Sequence, residues 1–134
     1  MESIGMIAVT PRKFTFVHGA AYFILGTLGI LPFIAVGNYP NIVELVLGLN
    51  PIFSIAHIVL GLALMYAANR SYEEFTSLNR IMAAGFAVLA LVALFTSGLN
   101  IGAMMIHVIS AAASAYMGWM MPRELMRVGL RRTV

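Results

Sequence analysis

No cysteine occurs in this chain of 134 residues, and only 10% of its residues are charged. The first absence excludes disulfides, thiolate metal sites, iron–sulfur ligation and a cysteine nucleophile. The second sets the chain apart from ordinary soluble domains, in which about a quarter of residues are charged. Lysine is reduced to Lys13, tryptophan to Trp119, and five residues are acidic. What fills the space is apolar: 61% hydrophobic residues, with a mean hydropathy of +0.94. Such a composition belongs in a bilayer.

A helix that crosses about 30 Å of hydrocarbon at 1.5 Å per residue needs roughly 20 residues with few or no charges. Four stretches qualify, 14–36, 51–68, 81–99 and 101–121, and none contains Asp, Glu, Lys or Arg. Lipid offers no hydrogen-bond partners, so only helices or closed barrels span, and these runs lack the alternation of barrel strands. The sequence therefore predicts an all-α, polytopic membrane protein: one domain, 1–134, of four transmembrane helices. The first span exceeds the length of a cleavable signal core and is read as a true span. Between spans one and two, 41–49 is apolar but too short to cross, which fits a short outer interfacial helix with Glu44 facing water. Asn50 before Pro51, and Asn100 before Ile101, are placed to cap the second and fourth helices.

All eight basic residues fall on one side of this topology: Arg12 and Lys13, Arg70 and Arg80, and Arg123, Arg127, Arg131 and Arg132. The positive-inside rule then puts both termini on the cytoplasmic side of a bacterial inner membrane or a thylakoid. A net charge of +3 and a pI near 9.7 arise beside the spans. They point to anionic lipid headgroups and not to nucleic acid. The polar connection from Asn69 to Arg80 offers Glu73 and Glu74 to Arg70 and Arg80. Tyr116 and Trp119 sit where an aromatic belt forms, and Pro122 marks a stop.

The stretch GLNPIFSIAH, Gly48 to His57, returns fifty residues later as GLNIGAMMIH, Gly98 to His107, and Tyr66 is answered by Tyr116. A weaker match joins AAYF (Ala20 to Phe23) to AAGF (Ala83 to Phe86). The chain reads as a tandem duplicated helical hairpin, its halves related by an axis along the membrane normal. His57 and His107 then lie at equal depth. Ser110, Ser114 and Gly118, four residues apart, form a small-residue stripe for close helix packing, and Gly26, Gly29 and Gly61 offer similar contact points.

The LGILPF ending of the first span, the following GLNPIFSIAHIVLGLALMYAA, and the second GLN with a histidine seven residues on together resemble a family of small bacterial proteins. It is an uncharacterised family (a domain of unknown function) of four-helix integral membrane proteins, found in cyanobacteria and actinobacteria. The likeness runs from about Phe14 to Trp119. The family pattern places an asparagine shortly before the second-span histidine, where this chain has Ser54 and Ala56. The resemblance implies the four-helix topology and brings no activity with it.

Histidines inside a membrane are candidate functional groups because burying them is costly. Two uses compete for His57 and His107. They are a packing pair hydrogen-bonded to neighbouring helices, or axial ligands to a tetrapyrrole, haem or chlorophyll. His18, near one end of its span, reads as an interfacial or packing residue outside that pair. Met104 and His107 share a helix face in a methionine-rich helix, a weaker pointer to copper. With no carboxylate, lysine or cysteine in the spans, no acid–base pair or triad can be assembled there. The expected function is non-enzymatic: an accessory or scaffold subunit of a larger respiratory or photosynthetic membrane complex. Its expected partners are the lipid bilayer and other membrane subunits, a second copy of itself among them.

Overall fold

A computed structural model describes residues 10–36, 50–96 and 101–123, and within them the chain forms four helices and no strand. These are α1 (Pro11–Val36), α2 (Pro51–Ala68), α3 (Tyr72–Thr96) and α4 (Ile101–Ala115). A wider π-helical turn, Tyr116–Met120, continues α4. All four, α4 together with its π-helical turn, are long and apolar enough to cross a membrane.

Each start has a local cause. Thr10 accepts the Lys13 amide on its hydroxyl at 3.3 Å, and Pro11 supplies a preset φ at the first helical position. Asn50 does the same for α2, its side-chain oxygen taking the Phe53 amide at 2.9 Å ahead of Pro51. The start of α3 departs from the expectation, coming nine residues before Ile81. Its signal is a reciprocal box: the Glu74 carboxylate accepts the Ser71 amide and the Ser71 hydroxyl accepts the Glu74 amide, both at 3.3 Å. The polar connection thus shrinks to Asn69, Arg70 and Ser71. The two added turns earn their place by burying Phe75 against Met121, with Tyr72 and Met117 around them. The proposed interfacial helix 41–49, the cap at Asn100, and Arg127, Arg131 and Arg132 lie outside the described residues.

α1 packs chiefly on α2, and α3 on α4, so the bundle is two antiparallel hairpins. In the first hairpin the backbones touch. A Cβ added at Gly61 would stand 2.5 Å from the Phe23 nitrogen and 2.6 Å from the Gly19 oxygen, and one at Gly26 would stand 2.5 Å from the Ser54 oxygen. Gly26, Gly61 and Gly19 are thus places where the two helix backbones meet. Gly29 is buried as well. Between the hairpins lies a core of Tyr22, Leu64, Met82 and Phe86, with Leu60, Ala63, Leu89 and Ala111 packed on it.

The charged end is tied down through helix carbonyls. Arg12 donates from Nη1 to the Ala68 oxygen at 3.0 Å, and Arg80 donates from Nε to the Gly118 oxygen at 2.7 Å. Both acceptors belong to last turns, where carbonyls lack helical partners and the dipole is negative. Glu73 pairs with Arg123 at 3.6 Å rather than with Arg80, whose guanidinium lies 5.6 Å from the Trp119 ring. Arg70 pairs with Glu74 at 3.9 Å and also reaches the Tyr66 hydroxyl. The Tyr72 hydroxyl closes this end by donating to the Met121 oxygen at 2.8 Å.

Candidate functional site

Among the described residues, apolar packing leaves a polar cluster at the centre of the bundle, to which all four helices contribute. On α1, His18 and Tyr22 stand one turn apart on one face; on α4, His107 and Ser110 do likewise. α2 contributes His57 and α3 the ring of Phe86. Tyr22, His57, His107 and Ser110 are each at most 5% exposed.

Tyr22 is the hub. Its hydroxyl donates to Ser110 Oγ at 2.8 Å and lies 3.3 Å from His107 Nδ1. His18 Nε2 lies 3.0 Å from the same Ser110 oxygen. With the Tyr22 proton committed to Ser110, its oxygen can accept the His107 Nδ1 proton. The rings pack too: Tyr22 is stacked on His57 at 5.1 Å, contacts Phe86 at 4.7 Å, and Phe86 in turn stacks on His18 at 5.5 Å. His57 donates from Nδ1 to the Phe53 oxygen at 2.6 Å, a bond to its own helix that holds the ring and leaves the Nε2 lone pair as the basic position.

His57 and His107 do meet, with ring centroids 5.1 Å apart and planes tilted by 58°. That separation lies within the range of direct ring contact. A macrocycle held between the two imidazoles has no space in this arrangement. Among the described residues, no group of three or more His, Asp or Glu side chains is gathered so as to hold a metal ion. Ser110, read from sequence as a packing residue, is buried and is the shared partner of Tyr22 and His18. Ser114 is buried with no partner for its hydroxyl, and Gly118 admits the backbone and Cγ of Arg80. Lys13 and Arg123 are exposed at the charged end.

Tyr22 is not singled out in the sequence, and His18, read there as an interfacial or packing residue outside the pair, faces inward and joins the cluster through Ser110. A signal for them exists. Thr15, His18 and Tyr22 are spaced by three and four residues, and so are His107, Ser110 and Ser114. Two such stripes on antiparallel helices face one another residue for residue: Tyr22 at His107, His18 at Ser110. No protein family, curated protein or solved structure matches the chain.

Proposed function

We propose that this is a non-enzymatic integral membrane protein, an accessory or scaffold subunit that packs beside larger subunits of a respiratory or photosynthetic membrane complex. The observation that carries the reading is the apolar girdle. Every helix exposes large aliphatic or aromatic side chains, Val17, Ile24 and Leu28 on α1, Val59 on α2, Leu91 and Phe95 on α3, Ile109 on α4, while Thr15, Ser54, His57, His107, Ser110 and Ser114 turn inward. Such a surface suits lipid and neighbouring helices alike. Arg12, Arg70, Arg80 and Arg123 gather at one end through the bonds described above, which supports a cytoplasmic placement of that end in a bacterial inner or thylakoid membrane.

A doubled hairpin agrees with the same bonds. Ala68 and Gly118, the acceptors of Arg12 and Arg80, are fifty residues apart, as are His57 and His107. Arg12 and Arg80, however, are separated by sixty-eight residues, whereas AAYF and AAGF are separated by sixty-three. The register kept by the bundle therefore differs from the one the weaker sequence match suggests.

The test is migration of the tagged chain in mild detergent. Comigration with respiratory or photosynthetic subunits, lost when Val59 and Ile109 are both replaced by polar residues, is the expected result; migration at the mass of the chain with its detergent belt under every mild condition overturns it. A second reading, a tetrapyrrole-binding subunit, is favoured by one feature, the His57 Nδ1 bond that leaves Nε2 to ligate. Under it the purified protein carries a visible absorption band that His57→Ala abolishes. A colourless preparation ends that reading.

A further inference from the structure

A proton crosses hydrocarbon only along groups that both donate and accept, and imidazoles and hydroxyls are such groups. The four-residue chain His107–Tyr22–Ser110–His18 is made entirely of them, joined at 3.3, 2.8 and 3.0 Å. We infer that the bundle relays protons along its axis through this chain, between the His57–His107 pair and the end that carries Arg12. The inference goes beyond an accessory role and does not depend on it.

The step balances. A cationic His107 gives its Nδ1 proton to Tyr22 Oη as Tyr22 gives its own to Ser110 Oγ and Ser110 gives its own to His18 Nε2. One proton has moved: His107 is neutral, His18 is cationic, and both hydroxyls are regenerated. Rotation of the two O–H bonds resets the path.

Beyond either end of the chain stand hydroxyls that have no partner. Ser54, one turn from His57, is 0% exposed; Thr15, one turn from His18, and Ser114, one turn from Ser110, are each 1% exposed. The Oγ of Ser54, the Oγ1 of Thr15 and the Oγ of Ser114 are all buried without a hydrogen bond, and so is Arg12 Nε at the end of the line. Buried polar atoms of this kind are ordinarily satisfied by water, and bound water is what the relay needs at those positions. By the helical rise, the line from Ser54 to Ala68, where Arg12 is bonded, covers about 21 Å of the ~30 Å hydrocarbon layer. The apolar spans hold no carboxylate that would trap the proton on the way.

The experiment uses the purified full-length chain in phosphatidylcholine–phosphatidylglycerol vesicles loaded with a pH-sensitive dye, with a potassium diffusion potential as the driving force. Vesicles containing the protein are expected to acidify faster than empty ones. Tyr22→Phe keeps the ring and its stacking on His57 but removes the hydroxyl. Each lost link leaves a donor or acceptor unsatisfied, so the rate is expected to fall about tenfold or more. Ser110→Ala should do the same, and Ser110→Thr, which restores a hydroxyl, should recover it. A packing role alone predicts unchanged flux in Tyr22→Phe. Protein vesicles no more permeable than empty ones, or Tyr22→Phe and Ser110→Ala vesicles as permeable as wild type, overturn the relay. Failure of the accessory role would show only in comigration, so the two are separable.

Discussion

The two hairpins solve the same problem in different ways. α1 and α2 meet backbone to backbone at Gly19, Gly26 and Gly61, with hypothetical Cβ atoms landing 2.5 to 2.6 Å from main-chain atoms. α3 and α4 meet mainly through side chains, with one looser backbone approach where a Cβ at Gly118 would stand 3.0 Å from the Arg80 nitrogen. Position 111, fifty residues after Gly61, is an alanine packed on the Tyr22–Phe86 core, and Gly85 of α3 looks across to the other hairpin, where it faces only the tip of Leu60 on α2 at 3.3 Å. A glycine is thus decisive where a backbone faces it and incidental where a flexible side chain does. The difference also bears on the polar cluster. The rigid hairpin holds Tyr22 and His57 in a stack, while the other presents His107 and Ser110 from a helix that scarcely approaches α1.

The largest effect should come from closing that backbone contact. In Gly61→Ala the new methyl meets Phe23 N and Gly19 O, neither of which can rotate away, so the helices must separate. Overpacking of this kind costs about 1–3 kcal/mol, and the upper end is expected. Reversible unfolding in mixed detergent micelles would measure it. Gly85→Ala should be within about 0.5 kcal/mol of wild type, because the Leu60 tip can move. Equal losses in the two variants would remove the distinction between a glycine faced by backbone and one faced by a flexible side chain.

Next in size are the two arginine caps, where the hairpins behave alike. Arg12→Gln and Arg80→Gln each remove a charged donor from a last-turn carbonyl, at 3.0 and 2.7 Å. Bonds of this class contribute about 1.5–3 kcal/mol when well shielded, and the half-open charged end should bring the loss nearer 1 kcal/mol. Arg80→Gln should exceed Arg12→Gln slightly, since Trp119 also loses its cation. A loss confined to Arg80→Gln would argue against equivalence of the two helix ends.

Much of this was legible in the residues. The four uncharged runs, the cap at Asn50 and the contacts at Gly26 and Gly61 follow from length, side-chain chemistry and size alone. Other features depend on register. His18 reads as peripheral because its depth is visible in the sequence but its azimuth is not; only the antiparallel offset of α1 and α4 brings it to Ser110. Tyr22 hides in an apolar run because tyrosine there is ordinary packing material. Gly19 stands out only once Gly61 is known to face it. The early start of α3 is encoded in Ser71 and Glu74 at capping-box spacing, within a charged stretch that also reads as ion pairs.

The smallest effect belongs to the pair that sequence proximity missed. Glu73 lies 3.6 Å from Arg123, with side chains 81% and 65% exposed, and Arg123 also covers the Tyr72 ring at 5.1 Å. Water screens the pair and two long side chains must be ordered to form it, so Arg123→Ala should cost roughly 0–1 kcal/mol. Whatever is lost should shrink as salt rises from 0.01 to 1 M, over which the Debye length falls from about 30 to 3 Å. The Arg80 cap, bonded to the Gly118 carbonyl against the protein interior, should keep most of its contribution over the same range. Parallel unfolding of Arg123→Ala and Arg80→Gln at the two salt concentrations separates surface attraction from helix capping. An Arg80 contribution that fades as fast as that of Arg123 would mean that charge, and not the closed carbonyl, holds the end of the second hairpin.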